Sequence, residues 1–352
     1  MVASDDTTPH ASEGLEPHLL TILSKKFEMV TRDMTQTLLK SARSGVINSA
    51  RDFSSAITLA DGRQFMIDEG LPAHLGNVHF TPQYTLSKFD DIAPGDCFLT
   101  NSPYAGGTHH ADYTLHVPVF YDDEFLFWSI NRAHQADVGA PLPSTYLGGA
   151  ATVYEEGPHF LAIRIQTGYE DHEDIVRMLK ANIRASERQW YGDYRAQVAA
   201  VRRGEEELQA LCDEYGIETI REFSSAWLSY GEEMMRAEIR DLPATTIENT
   251  SRHDPIPGAA PEGVRVHVEI EIDPDDERIR VDLTDNPPNI PAGFNLSEAT
   301  TVSSVYGGIF VNVDPDVPHN HGSIGRIEIE MDEGKVVGRP EYPVGTATAT
   351  TN

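Results

Sequence analysis

The segment from Gly95 to Asp137 constrains the fold more than any other part of this 352-residue chain. Two runs of alternating apolar residues, TLHVPVF and FLFWSIN, flank the polar stretch YDDE, which is the pattern of a β-hairpin. The return strand of a hairpin lies beside the outgoing strand, so the residues before and after the hairpin come together. We therefore expect the loops GGTHHAD and HQAD to be neighbours.

These neighbouring loops contain residue types that bind divalent metal ions. His109 and Asp112 are three residues apart, and His134 lies at the end of the return strand. Two imidazoles and one carboxylate leave positions open on an ion, as catalytic sites require, and they suit manganese, zinc or iron. The alternative is that these side chains only cap turns, because a chain with 14 histidines produces such spacings by chance.

Five further residues are candidates for catalysis or substrate binding. Asp137 and His110 could orient the ligand histidines or act as general acid or base, with ordinary loop polarity as the alternative. Arg132 could hold an anionic substrate group through two hydrogen bonds, although it could equally pair with one of the many carboxylates. Asn101 and His74 complete the predicted substrate-binding set; their alternatives are an Asx turn and a structural loop histidine.

The order of local patterns predicts an α+β fold. Apolar residues at steps of three and four predict a helix from about Pro17 to Ala42, and FSSAITL with RQFMI predicts another hairpin. Residues 171–242 have helical patterns, with Asp193 as an N-cap and Gly216 as a C-cap. The strand patterns VRVHVEIEI, RIRVDLT and RIEIEM follow.

These patterns predict four regions along the chain. They are a disordered tail (1–14), a core with a mixed α/β region, metal-site loops and a helical hairpin region (15–242), a linker (243–261), and a β-rich domain that is incomplete at its C-terminus (262–352).

The charge of the chain excludes several classes of partner. Acidic residues outnumber basic ones 56 to 27, giving a formal net charge of −29, so the surface repels nucleic acid and anionic membranes. The acidity is dispersed and the chain is poor in lysine, which predicts a halophilic source. Two isolated cysteines, no signal-peptide pattern and no membrane-length apolar run predict a cytoplasmic location.

The sequence lacks the common nucleotide-binding motifs. Neither GxxxxGK[ST] nor GxGxxG after a strand is present, and the GxSxG motif of serine hydrolases is also missing. If the reaction needs ATP, we expect the nucleotide to bind on a partner and not on this chain.

Several segments match one known family in the same order. They are RDFSSAITLADGR, LPAHLGN, PGDCFLTNSPYAGGTHHADYTL, FWSINRAHQADVG and VDLTDNPPNIPAGFNLSEATT, with GGTH-x-x-D and NRAH-x-AD as the most specific elements. On these segments the chain resembles the hydantoinase B/5-oxoprolinase family. That family includes the second subunit of N-methylhydantoinase and the α-type subunit of acetone and acetophenone carboxylases.

The resemblance implies a function shared between two subunits. It implies that His109, Asp112 and His134 bind a divalent metal, which is manganese in acetone carboxylase. It also implies a hydantoinase A-type partner that binds ATP and phosphorylates the carbonyl oxygen of a lactam or hydantoin. The expected function is a subunit of an ATP-dependent cyclic-amide hydrolase; the alternatives are a ketone carboxylase subunit and a non-catalytic structural subunit.

The sequence also departs from the family pattern. INSARDFS stands where IKERRDFS is expected, and Ala140 replaces a usual glycine. The family's chains continue beyond the segment EYPVG with a glycine-rich segment that is missing here, so we expect a truncated chain.

Overall fold

A computed structural model describes residues 15–347, and the tail predicted at residues 1–14 lies outside the described residues. The helices are α1 (Pro17–Ser41), α2 (Gly45–Asn48), α3 (Phe80–Leu86), α4 (Glu173–Asn182), α5 (Tyr191–Tyr215), α6 (Ile217–Asp241), α7 (Glu298–Phe310) and α8 (His321–Ile324). The strands are β1 (Phe53–Leu59), β2 (Gln64–Glu69), β3 (Cys97–Thr100), β4 (Asp112–Tyr121), β5 (Glu124–His134), β6 (Ile163–Thr167), β7 (Glu170–Asp171), β8 (Thr245–His253), β9 (Val264–Asp273), β10 (Arg278–Asp282) and β11 (Ile327–Glu330). This mixture confirms the α+β class.

Seven strands form one antiparallel sheet in the order β2-β1-β5-β4-β3-β6-β7. The hairpins predicted from the sequence are confirmed as the pairs β4–β5 and β1–β2. In the β4–β5 register Asp112 lies opposite His134, and β1 pairs with the other side of β5, with Phe53 opposite Ala133. The start of β1, the start of β4 and the end of β5 therefore share one end of the sheet.

Helices α1, α5 and α6 cover one face of this sheet. Helix α1, confirmed within one residue of its predicted end, buries an apolar stripe that includes Phe27. The Phe27 ring lies 5.2, 5.6 and 5.1 Å from the rings of Phe65, Phe127 and Phe223, measured between centroids. Each such buried side chain contributes roughly 1.5–3 kcal/mol to stability, so this aromatic cluster fixes the helical layer on the sheet.

A second sheet lies C-terminal to the helices, in the order β11-β10-β9-β8. β9 is antiparallel to both of its neighbours, β8 and β10, whereas β11 is parallel to β10. Its apolar side packs with Met235 and Ile239 of α6 and with Tyr306 and Phe310 of α7. The sheet is thus attached to the N-terminal part through shared core residues.

The structure differs from the sequence prediction in three places. Residues 243–261, predicted as a linker, include β8, whose largely exposed side chains show no apolar alternation. The predicted β-rich region also contains α7. Asp193 lies inside the first turn of α5 and does not cap it, because the π-helical turn Ser186–Trp190 leads directly into this helix.

Gly216 has a φ of +82° and follows α5 at its C-terminus, as predicted. Within residues 15–347, none of the helices combines the length and the apolar character that crossing a bilayer would require.

Candidate metal centre

The end of the sheet at which β1, β4 and β5 meet contains a compact cluster of three potential metal ligands. His109 Nε2, Asp112 Oδ1 and His134 Nδ1 lie 3.1 Å from one another in all three pairs. Ligand atoms bound at about 2.0–2.2 Å around one ion are separated by about 3.0–3.5 Å. The three side chains predicted from the sequence are therefore together, at a spacing that fits a single ion.

The other nitrogen of each histidine is held by the surrounding protein. His109 Nδ1 lies 2.8 Å from the carbonyl oxygen of Ala347, and His134 Nε2 lies 2.8 Å from the hydroxyl oxygen of Thr145. A carbonyl oxygen can only accept, so His109 donates from Nδ1 and directs Nε2 to the cluster. Such outer contacts orient ligand histidines in metal sites.

The second oxygen of Asp112 is held by two further side chains. The Thr108 hydroxyl donates to Asp112 Oδ2, and His74 Nε2 lies 3.3 Å from the same oxygen. His74 Nδ1 in turn lies 2.8 Å from Ser54 Oγ on β1. These contacts fix the carboxylate so that Oδ1 faces the two ligand histidines.

Asp52 completes the cluster and was not predicted from the sequence. Its Oδ2 lies 3.7 Å from His134 Nδ1, and its backbone carbonyl accepts a hydrogen bond from the backbone N–H of His134. Asp52, His74 and Asp112 form a second group whose donor atoms are close enough to hold an ion. Two sequence signals could have indicated it: Asp52 lies in the matching segment RDFSSAITLADGR, and it immediately precedes β1, the strand that pairs with β5.

The electrostatics of the cluster favour a bound cation. Burial raises the pKa of Asp52, and the neighbouring Asp112 carboxylate raises it further. Within residues 15–347 the ion-pair partners of Asp52 and Asp112 are histidines alone. A fully buried and a partly buried carboxylate side by side, without an arginine or lysine partner, are costly, and a divalent ion would offset that cost.

Tyr146 covers the cluster on its outer side. Its ring stacks on His134 and on His109, with centroids 5.3 and 5.9 Å away. The Tyr146 side chain is 42% exposed, whereas the three potential ligands are only 1–2% exposed. Tyr146, in the loop of residues 139–149, therefore lies between the buried ligands and solvent.

The two predicted acid–base residues make no hydrogen bond to the cluster. Asp137 accepts from the backbone N–H of Gly139 and Arg184 and from the Arg184 guanidinium. His110 belongs to the loop of residues 106–112, called the metal loop; its side chain is buried, with Nδ1 3.9 Å from Glu156 Oε2. Burial lowers the pKa of His110 to about 3, so its imidazole is neutral.

The remaining predicted residues are bonded within the protein. Asn101 donates to the Pro158 carbonyl and accepts from the Phe160 N–H.

Arg132 is fully buried, and four hydrogen bonds join it to the side chains of Asn77, Thr81 and Thr114 and to the Gly106 carbonyl. His74 is the one member of the predicted substrate-binding set that contacts the cluster.

Comparison with known proteins identifies similar chains. A sequence model of the family described as Hydantoinase B/oxoprolinase matches residues 16–352. The caprolactamase subunit beta of Pseudomonas jessenii is 29% identical over 340 residues, which cover 96% of this chain and 57% of that subunit. The chain thus spans little more than half the length of this relative.

Two solved structures have the same fold. The crystal structure of the ATP-dependent caprolactamase from Pseudomonas jessenii matches with a TM-score of 0.87 at 28% identity, over 95% of this chain and 57% of that chain. Nucleotide-free acetone carboxylase matches with a TM-score of 0.87 at 18% identity, over 95% of this chain and 46% of that chain. The second likeness concerns the fold alone.

Proposed function

Because the chain belongs to the hydantoinase B/oxoprolinase family, we propose that it is the metal-binding subunit of an ATP-dependent enzyme that hydrolyses cyclic amides. The observation that carries this proposal is the cluster of His109, Asp112 and His134, whose three donor atoms lie 3.1 Å apart. The similarity to a caprolactamase subunit supports a lactam as the class of substrate.

The ion would be held by His109 Nε2, His134 Nδ1 and Asp112 Oδ1, with Asp52 as an additional oxygen donor. This mixture of imidazole and carboxylate suits manganese, zinc or iron. When bound, such an ion polarises a carbonyl or phosphoryl oxygen and stabilises the charge that develops there. His74 and Thr108 keep the Asp112 carboxylate oriented, and Tyr146 limits the access of water to the buried donors.

The ATP-dependent step is assigned to a hydantoinase A-type partner that activates the carbonyl oxygen of the lactam or hydantoin. Two observations support this division: the similar caprolactamase is ATP-dependent and has a subunit beta, and this sequence contains no common nucleotide motif. The acid–base roles of Asp137 and His110 and the substrate-binding roles of Asn101, Arg132 and His74 stay predictions.

Reconstitution tests the proposed function. The purified chain is mixed with an A-type subunit, ATP, manganese and, in separate reactions, caprolactam, 5-oxoproline or hydantoin. We expect phosphate release and a ring-opened product that both require the two subunits. If the same mixture instead converted acetone and bicarbonate into a carboxylated product, the protein would be a ketone carboxylase subunit and not a hydrolase subunit. A chain that retains metal without turnover of any substrate would contradict both and favour the structural subunit.

Metal binding should depend on pH through His109. Burial alone would lower the pKa of this imidazole, but the Asp112 carboxylate and the Ala347 carbonyl raise it to about 9. An ion needs the lone pair on Nε2, so below pH 9 binding must release the proton held there. The apparent affinity for manganese should therefore rise about tenfold per pH unit up to pH 9, with about one proton released per ion.

Calorimetry in two buffers of different ionisation enthalpy measures this proton release directly. An affinity that is constant between pH 6.5 and 8.5, without proton release, would contradict the raised pKa of His109 in the metal-free chain.

A further inference from the structure

A short segment of the described chain, residues 343–347, runs beside the metal loop and is called the strap. The Pro343 carbonyl accepts from the Val153 N–H at 2.9 Å, and the Val344 carbonyl accepts from the Tyr104 hydroxyl at 2.7 Å. The Gly345 N–H donates to the Ala151 carbonyl at 3.0 Å. The strap is therefore fastened along its length to two loops that are remote from it in sequence.

Glu156 binds the strap at the point nearest the cluster. The backbone N–H of Thr346 donates to Glu156 Oε1 at 2.6 Å, and the carbonyl of the next residue, Ala347, accepts from His109 Nδ1 at 2.8 Å. Glu156 is only 2% exposed, although within the described residues its Oε2 has no hydrogen-bond partner. A carboxyl buried at this cost, with one oxygen on the strap, is explained by a positioning role.

Gly345 shows how closely the strap is packed. A Cβ atom at this position would lie 2.2 Å from the Ala150 carbonyl oxygen and 2.9 Å from Glu156 Oε1. The first contact is with backbone, which cannot move aside as a flexible side chain can. Any side chain at Gly345 would therefore displace the strap.

We propose that Glu156 is a positioning residue that acts through the strap: it fixes the Thr346–Ala347 peptide so that the Ala347 carbonyl holds His109 Nδ1 and directs Nε2 to Asp112 and His134. The inference rests on the proposed function only in taking His109 as a metal ligand. Losing an outer contact of this kind typically lowers metal affinity 10–100-fold.

Four variants of the full chain test the proposal with manganese and cobalt as probes. Glu156→Ala and Gly345→Ala should each lower the affinity about 10–100-fold and shift the visible absorption bands of bound cobalt. Glu156→Gln keeps an oxygen acceptor for the Thr346 N–H and should bind within about threefold of the original chain. Gly308→Ala is the matched control, because outside its own helical turn none of the described atoms lies within 4 Å of the added Cβ.

A second measurement does not need a metal. The ¹⁵N shifts of His109 in the metal-free chain should show a protonated Nδ1 whose signal changes in Glu156→Ala but not in Glu156→Gln. Folded Glu156→Ala and Gly345→Ala variants with unchanged ¹⁵N shifts, affinity and cobalt spectrum would overturn the proposal. If the unsubstituted chain binds no divalent ion, the proposed function fails instead, and the ¹⁵N shifts alone decide the role of the strap.

Discussion

Replacing Asp112 with asparagine should abolish metal retention by the purified chain. Asp112 is the anionic member of the three-donor cluster, and its two oxygens contact His109, His134, His74 and Thr108. Asparagine keeps the size of the side chain but removes the negative charge. Because losing only an outer contact costs 10–100-fold, losing this charge should lower manganese affinity by more than about 100-fold. Metal content after gel filtration measures the effect.

A matched control separates the loss of a ligand from the loss of a buried carboxylate. Asp96 is as buried as Asp112, at 1% exposure, but it accepts from the Ala93 N–H and lies 3.3 Å from Arg164 Nε. Asp96→Asn should therefore lower stability and leave metal content unchanged. If Asp112→Asn kept its full complement of metal, the cluster could not be the metal site.

The sequence predicted the three-donor cluster because local patterns determine it. Alternation in β4 and β5 predicts the hairpin, and the antiparallel register then brings His134 opposite Asp112. His109 is only three residues before Asp112, the first residue of β4, so the short segment leading into β4 brings it close to Asp112. None of these contacts requires knowledge of how distant segments pack.

The parts of the site that the sequence did not predict depend on non-local pairing. Asp52 reaches the cluster because β1 pairs with β5, with Phe53 opposite Ala133, which is 80 residues later in the chain. His74 contacts Asp112 through Nε2, while Ser54, on β1, holds its Nδ1. Asp52 and His74 lie in the matching segments RDFSSAITLADGR and LPAHLGN, but neither segment has a local pattern that indicates contact with Asp112, so His74 was predicted only to bind substrate.

The C-terminal part of the chain also contributes to the site in a way that periodicity did not predict. Ser297, the N-cap of α7, donates from its hydroxyl to the Thr108 carbonyl at 2.6 Å. The strap adds the Ala347 contact to His109. A region predicted as a separate β-rich domain thus supports the metal loop from two directions, through contacts that depend on individual side chains and not on strand alternation.

Arg132 supports the same loop from the opposite side. Its guanidinium is fully buried and bonded to neutral groups, among them the carbonyl of Gly106, three residues before His109. Burial lowers the pKa of Arg132 to about 10, so the side chain is still a cation at neutral pH. The Asp112 carboxylate is the charged group that favours this cation. Arg132 therefore connects the metal loop to β4, through Thr114, and to α3, through Thr81.

Arg132→Met should remove this support while keeping the unbranched, apolar part of the side chain. Several buried acceptors would lose their donor, so we expect the metal-free chain to lose about 2–4 kcal/mol of unfolding free energy, measured by urea denaturation. Manganese affinity should also fall, by about tenfold or more, because the Gly106–His109 loop is no longer held.

Arg326→Met is the matched control for this prediction. Arg326 is 7% exposed and donates to the carbonyls of Asp276 and Glu277 in the turn between β9 and β10. Its loss should lower stability without changing metal affinity. If both arginine variants lost stability and both bound manganese as tightly as the unsubstituted chain, Arg132 would stabilise the fold without positioning the metal loop.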